Sequence, residues 1–152
     1  MQVKILTMTV ASAEFLHRIT SLLERSGDAL VKDTFGVTYS RALLLRVIGA
    51  QPGISQRELA NALGYTAPAI SSLLREVRQA GLVTVAPSRT NKRINEVFLT
   101  EVGAALEAKI SKTLDVRFKD VLRMASVNDA QLAEMLARIE HVLTGAQEDE
   151  NG

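Results

Sequence analysis

Ile54-Ser-Gln-Arg-Glu-Leu-Ala-Asn-Ala-Leu-Gly64, followed at once by Tyr65-Thr-Ala-Pro-Ala-Ile-Ser-Ser-Leu-Leu-Arg-Glu-Val-Arg-Gln-Ala-Gly81, decides how this chain reads. Ser55 and Glu58 have the capping-box spacing, in which a hydroxyl and a carboxylate each satisfy an orphan N–H at a helix start. Leu59, Ala60 and Leu63 form one buried side, and Gly64 is placed to end the short helix in a left-handed conformation. Thr66 is placed to cap a second helix, with Pro68 in its first turn, where a missing N–H costs little. Ile70, Leu73, Leu74 and Val77 are its apolar stripe, and Gly81 closes it. A short capped helix, a glycine turn and a longer helix make a helix-turn-helix, with the second helix set across the first.

Upstream, Pro52-Gly53 stops a helix expected over about Tyr39 to Ala50, whose apolar face is Leu43, Leu44, Val47 and Ile48. Before it, Phe15, Ile19, Leu22, Leu23 and Leu30 recur at helical spacing and predict a helix from about Ser12 to Asp33, weakened at Gly27 and broken at Gly36. Downstream, Leu82 to Val85 and Asn95 to Leu99 read as strands, joined by the basic connection Pro87 to Arg93 as a hairpin with a charged tip. A long helix then runs from Thr100 to about Met124, with Val102, Leu106, Ile110 and Leu114 on one face. Ser126 or Asp129 caps a last helix striped by Leu132, Met135, Leu136, Ile139, Val142 and Leu143.

The fold class is therefore mainly α with a small β-hairpin wing (α+β): a winged helix-turn-helix with long terminal dimerisation helices. Residues 37–100 would be the DNA-binding domain, 1–36 and 101–147 the helical dimerisation region, and 148–152 a disordered acidic tail. The long terminal stripes are more simply a packing seam than a ligand box, and a homodimer is the commonest way to bury them.

Composition narrows the function. The 152 residues are 47% hydrophobic but only 4% aromatic, so the core must be aliphatic. With no Cys, disulfides, thiol catalysis and thiol redox sensing are excluded, and the chain suits a cytoplasmic setting. No stretch approaches the ~20 apolar residues of a membrane span. Lys4, the apolar run Ile5 to Ala11 and the Ala-Ser-Ala at 11–13 faintly resemble a signal peptide, but two Thr break the run and it feeds into the first helix. Met1 and Met8 are both available as starts. No nucleophile elbow, phosphate loop or zinc motif is present, so no enzyme and no cofactor are expected. His17 and His141 lack a second ligand at metal spacing and read as ordinary helix residues.

The net charge of +1 is uninformative, but its distribution is not. Residues 51–100 carry six basic against three acidic side chains, whereas 101–152 carry six against ten. The positive third holds the helix-turn-helix, whose second helix enters a DNA major groove and reads bases from its N-terminal part. With its stripe inward, its outer face holds Pro68, Ala69, Ser71, Ser72, Arg75 and Gln79, preceded by Thr66. Small polar residues allow close approach; hydroxyls can bond bases or phosphates, Ala can pack on a thymine methyl, and Arg75 can reach a phosphate or guanine. Ser55 and Gln56 can offer side chains and N–H groups to a phosphate. Arg89, Lys92 and Arg93 at the hairpin tip suit a narrow minor groove or its phosphates. The plainer readings are a solvated Arg75 and a merely soluble loop tip.

Residues 54–64, Thr66 to Gly81 with Leu82-Val83, and Arg93 followed by Val97, Leu99-Thr100 and Gly103 resemble the MarR family, the multiple-antibiotic-resistance regulators. The resemblance spans roughly residues 10–145. It implies a two-fold dimer built from the first and last two helices, with a wing at each outer edge. It further implies a pseudo-palindromic double-stranded operator, and a repressor relieved by a small, commonly aromatic, effector. Three departures bear on affinity: Asn91 stands where the family's wing carries Asp, Ser72 where Arg is frequent, and Val85-Ala86 where charged residues are frequent. The expected function is a sequence-specific DNA-binding transcriptional regulator. The alternatives are a winged-helix dimer that binds protein and has no operator, and a small-molecule carrier or enzyme, for which no converging polar set is visible.

Overall fold

Helix boundaries follow the caps and glycines. In the computed structural model, α1 spans Gln2–Phe35, α2 Tyr39–Ala50, α3 Gln56–Leu63, α4 Ala67–Gln79, α5 Glu101–Met124 and α6 Asp129–Glu150. The strands are β1 Ile54–Ser55, β2 Val83–Pro87 and β3 Asn95–Leu99. The structure describes the backbone of residues 2–150 and the side chains of 10–144. Two compact units divide the chain, one up to Lys112 and one from Thr113.

In the first unit, Ser55 and Glu58 form the capping box of α3, and Thr66 caps α4 by accepting the Ala69 N–H. After both helices a glycine turns left-handed, Gly64 at φ 64° and Gly81 at φ 72°. The next residue then reaches back: Tyr65 N–H to Ala60 O (3.0 Å) and Leu82 N–H to Val77 O (2.9 Å). These bonds satisfy carbonyls that the helix ends would leave bare.

Several features differ from the sequence reading. Helix α1 begins at Gln2 rather than near Ser12; residues 2–11 contain no Gly or Pro, and extending a formed helix is far easier than nucleating one. Gly27 does not weaken α1 but admits a neighbour: a Cβ there would lie 2.4 Å from the Tyr39 ring. Asp28, one residue on, accepts the Tyr39 N–H at 2.6 Å, so α1 helps cap α2. Another is β1, too short for any alternation to reveal. It pairs antiparallel with β3 (Ile54 opposite Val97), giving a three-stranded sheet in the order β1-β3-β2. Strand β2 starts at Val83 and runs to Pro87, which an edge strand tolerates.

The core of this unit is Leu44, Leu45, Ile48, Leu59, Ile70, Val77 and Val97, all essentially inaccessible. Leu45 replaces Leu43 on the buried face of α2, because α2 packs against α1, α3, α4 and β3 and so buries a wide arc. The start of α5 is pinned to the end of α4. Thr100 donates its N–H to Leu82 O (3.0 Å) and its hydroxyl to Gly81 O (2.7 Å), while accepting the Gly103 N–H (3.0 Å). Of the stripe expected on α5, Ile110 and Leu114 are buried but Val102 is exposed.

In the second unit, the turn after α5 holds Ser126 at φ 55°, the one described non-glycine residue with positive φ. Asn128, not Ser126 or Asp129, caps α6: its Oδ1 accepts the Gln131 N–H at 3.0 Å. Helix α6 continues to Glu150, through most of the stretch expected to be a disordered tail; residues 151–152 lie outside the described residues. A helix with no Pro to stop it simply propagates. Met135, Leu136, Ile139, Val142 and Leu143 on α6 are exposed, as are Phe15, Ile19 and Leu22 on α1.

Candidate nucleic-acid interface

Helix α4 turns Ile70, Leu74 and Val77 into the core, with Leu73 half-buried. The opposite face is open: Thr66, Pro68, Ala69, Ser71, Arg75 and Gln79 are exposed and Ser72 is partly so. The orientation is locked from α2, where the Arg41 guanidinium donates through Nε and Nη2 to Glu76 Oε2. That pair also neutralises the one acidic residue on the helix.

The candidate residues at the two helix starts come together. Gln56, first residue of α3, donates its side-chain amide to Ser71 Oγ on α4, and Arg75 Nη2 donates to Ser72 Oγ at 3.2 Å. Beside them a groove of about 550 Å³ opens between α4 and the β2–β3 hairpin. Arg75, Gln79, Ser71 and Gln56 line it above a floor of Leu74, Val85 and Val97. Arg78 and Asn95 join the lining although the sequence reading does not single them out. The signal for Arg78 is its spacing of three from Arg75, which places both on one helical face.

Ser55 has less to offer a phosphate than its position suggests. Its N–H donates to Glu58 Oε2 (2.8 Å) and its Oγ accepts the Glu58 N–H (3.2 Å), so the α3 cap already engages both groups. Bonds from the Ser55 hydroxyl and then its N–H hold the Glu58 carboxyl below the usual glutamate range. At the back of the unit, burial raises the Tyr39 phenol, with Tyr65 and Glu24 adding to the rise and Arg46 opposing it.

The hairpin tip, residues 88–94, is built by local bonds. Ser88, the buried polar residue there, donates its N–H to Ile94 O (2.8 Å) while its Oγ accepts the Thr90 N–H (3.3 Å). Asn91 Oδ1 accepts the Arg93 N–H at 3.1 Å, so the amide performs the turn-forming task of an aspartate without its charge. Arg89, Lys92 and Arg93 are exposed and form no ion pair among the described residues. The tip stands apart from the groove: none of its three cations lines it. His17 and His141 are exposed on α1 and α6. Among the described residues no group of His, Asp or Glu is arranged to hold a metal, and no helix is long and apolar enough to cross a membrane.

Comparison with known proteins agrees with this geometry. The MarR family matches residues 35–94, from the end of α1 to the wing tip. The transcriptional repressor Rv2887 of Mycobacterium tuberculosis is 30% identical over 125 residues, covering 82% of this chain and 88% of that protein. The transcriptional regulator PetP of Rhodobacter capsulatus is 33% identical over 91 residues, 60% of this chain; that match spans about half of PetP, 54%. Among solved structures, the transcriptional repressor CouR bound to a 23-mer DNA duplex superposes with a TM-score of 0.70 at 27% identity, covering 82% of this chain and 88% of that one. These relatives are regulators of transcription, not enzymes. With its winged helix-turn-helix and a repressor matching it along most of both chains, this chain belongs to the MarR family of transcriptional regulators.

Proposed function

We propose that the chain is a homodimeric repressor that reads a pseudo-palindromic operator with α4 and clamps it with the wing. One observation carries the reading: the start of the outer face of α4 is small, hydroxyl-bearing and open, while Ile70, Leu74 and Val77 on its inner face are buried in the core. A helix so arranged can approach base edges closely. Ser55, Gln56, Thr66, Pro68, Ala69, Ser71, Ser72 and Arg75 form the major-groove side. Arg89, Lys92 and Arg93 project from the tip toward the minor groove or its phosphates. The dimer is supported by the uncovered apolar stripes on α1 and α6, whose burial between two chains would remove them from water. CouR, a relative in fold, is bound to a DNA duplex. A small, commonly aromatic, effector would release the operator by preferring a different spacing of the two reading helices. Such a regulator works in the cytoplasm.

Selection of bound sequences from random duplexes is the direct test. A two-fold motif with half-site centres about 10 bp apart is expected, with retention that weakens steeply as salt rises. Failure to retain any duplex at low salt would overturn the reading in favour of a protein-binding winged helix.

A further inference from the structure

Three hydroxyls stand at the open start of α4, and each already accepts a hydrogen bond from within the protein. Thr66 Oγ1 accepts from the Ala69 N–H (3.4 Å), Ser71 Oγ from the Gln56 amide, and Ser72 Oγ from Arg75 Nη2 (3.2 Å). A hydroxyl has one proton to give and lone pairs with which to accept. Once an N–H occupies a lone pair, the oxygen is polarised and its own O–H becomes the better donor. Arg75 has only donors. The first turns of α4 therefore offer protons outward more readily than they offer lone pairs.

Ser71 is the case where this bias is built in. Thr66 spends its acceptor on the helix cap. Ser72 takes its bond from Arg75, an exposed side chain that leaves when it moves to a phosphate or a base. The donor to Ser71 instead comes from another helix: Gln56 opens α3, is partly buried, and spans the junction to α4.

We propose that Gln56 is a positioning residue for sequence specificity: by donating to Ser71 Oγ from α3, it fixes Ser71 as a proton donor toward the major groove. The proposal rests on the reading of α4 as the groove-reading helix and adds what that helix selects. The base edge facing Ser71 must offer an acceptor. Guanine O6 and N7 and thymine O4 do so, whereas cytosine presents its N4 amino group and adenine sets its N6 amino group beside N7. The base under Ser71 is thus G or T, with C the least favoured. Gln56 acts through Ser71 rather than through a phosphate of its own.

The test uses the full chain, selection from random duplexes, and then competition between duplexes that differ at one base pair. The wild-type chain should prefer an acceptor-bearing base at one position of each half-site by roughly five- to tenfold, the scale of one hydrogen bond. Gln56→Glu replaces the amide donor by an acceptor of nearly the same shape. Ser71 then turns its proton back to the carboxylate and faces the groove with lone pairs, so preference at that single position should reverse toward C or A. The added negative charge lowers affinity for every sequence alike and leaves ratios between bases untouched. Ser71→Ala, which suits a helix, should flatten the same position while the others keep their preference. An unchanged base ratio in Gln56→Glu, or an intact preference in Ser71→Ala, overturns the inference; a merely structural Gln56 would give the first result. Absence of any duplex binding by the wild-type chain removes the DNA reading, and this inference with it, so the two failures are distinct.

Discussion

Gly103 shows how much one missing methyl group can hold. It lies in the first turn of α5, and a Cβ there would sit 1.9 Å from Leu82 O, a backbone atom with no freedom to move aside. Gly103→Ala should therefore part α5 from the end of α4. A cost of about 3 kcal/mol is expected for such overpacking, lowering Tm by roughly 6–12 °C in a thermal melt. Gly27→Ala meets the Tyr39 ring instead, a side chain rather than backbone, so its loss should be smaller; a larger loss at Gly27 would contradict this ranking. The sequence marks both glycines and explains neither, because their partners, Leu82 and Tyr39, are 21 and 12 residues away. Glu58 belongs to this scale too. Its folded pKa is lowered by Ser55, so its help to the α3 cap is full above the ordinary glutamate pKa and fades as pH falls through the lowered value. An NMR titration should place the Glu58 carboxyl below the ordinary glutamate value, and Ser55→Ala should bring it back toward that value; no change in that variant would remove the capping explanation.

Elements were legible where a local signal sets their ends. The α3–turn–α4 unit follows from Ser55, Glu58, Gly64, Thr66, Pro68 and Gly81, all acting within a few residues. Strand β1 was not legible, because two residues carry no alternation and its pairing to Val97 is a long-range fact. The Gln56–Ser71 and Arg41–Glu76 links were hidden for the same reason. Helix α4 and the wing have different chemistry, which separates their variants. Arg75 lies on the same open face of α4 as Ser71 and can reach a base edge, so Arg75→Ala should cost about 1–3 kcal/mol of binding and relax sequence choice. Arg93 sits on the wing with its backbone held by Asn91 and its guanidinium exposed. Arg93→Ala should weaken binding nearly alike on all sequences and reduce the salt slope by about one. Fluorescence anisotropy across a salt series reads both; unchanged affinity and slope for Arg93→Ala would take the wing off the DNA.

At the scale of the molecule, the question is what covers the apolar faces that one chain leaves bare. Phe15, Ile19 and Leu22 follow one another along α1, and Met135, Leu136, Ile139, Val142 and Leu143 along α6, all open to water. The sequence predicts these stripes from spacing, and their exposure among the described residues turns a packing seam into an argument for a second copy. Scattered exposed leucines need no explanation, but a sustained helical stripe does. Because Ile139 is 44% exposed, it contributes little to the protomer's own core, so Ile139→Glu should leave each chain folded. Placed in a two-chain seam, the same carboxylate would be buried without a partner, at a cost that dissociates the dimer. Analytical ultracentrifugation should then find one-chain mass, against the two-chain mass expected of the parent protein. Operator binding should fall by at least about 100-fold, because the second half-site loses the effective concentration that linkage supplies, while circular dichroism stays helical. A variant that remains two-chain and binds with parent affinity would move the seam away from α6, and α1 would become the place to look.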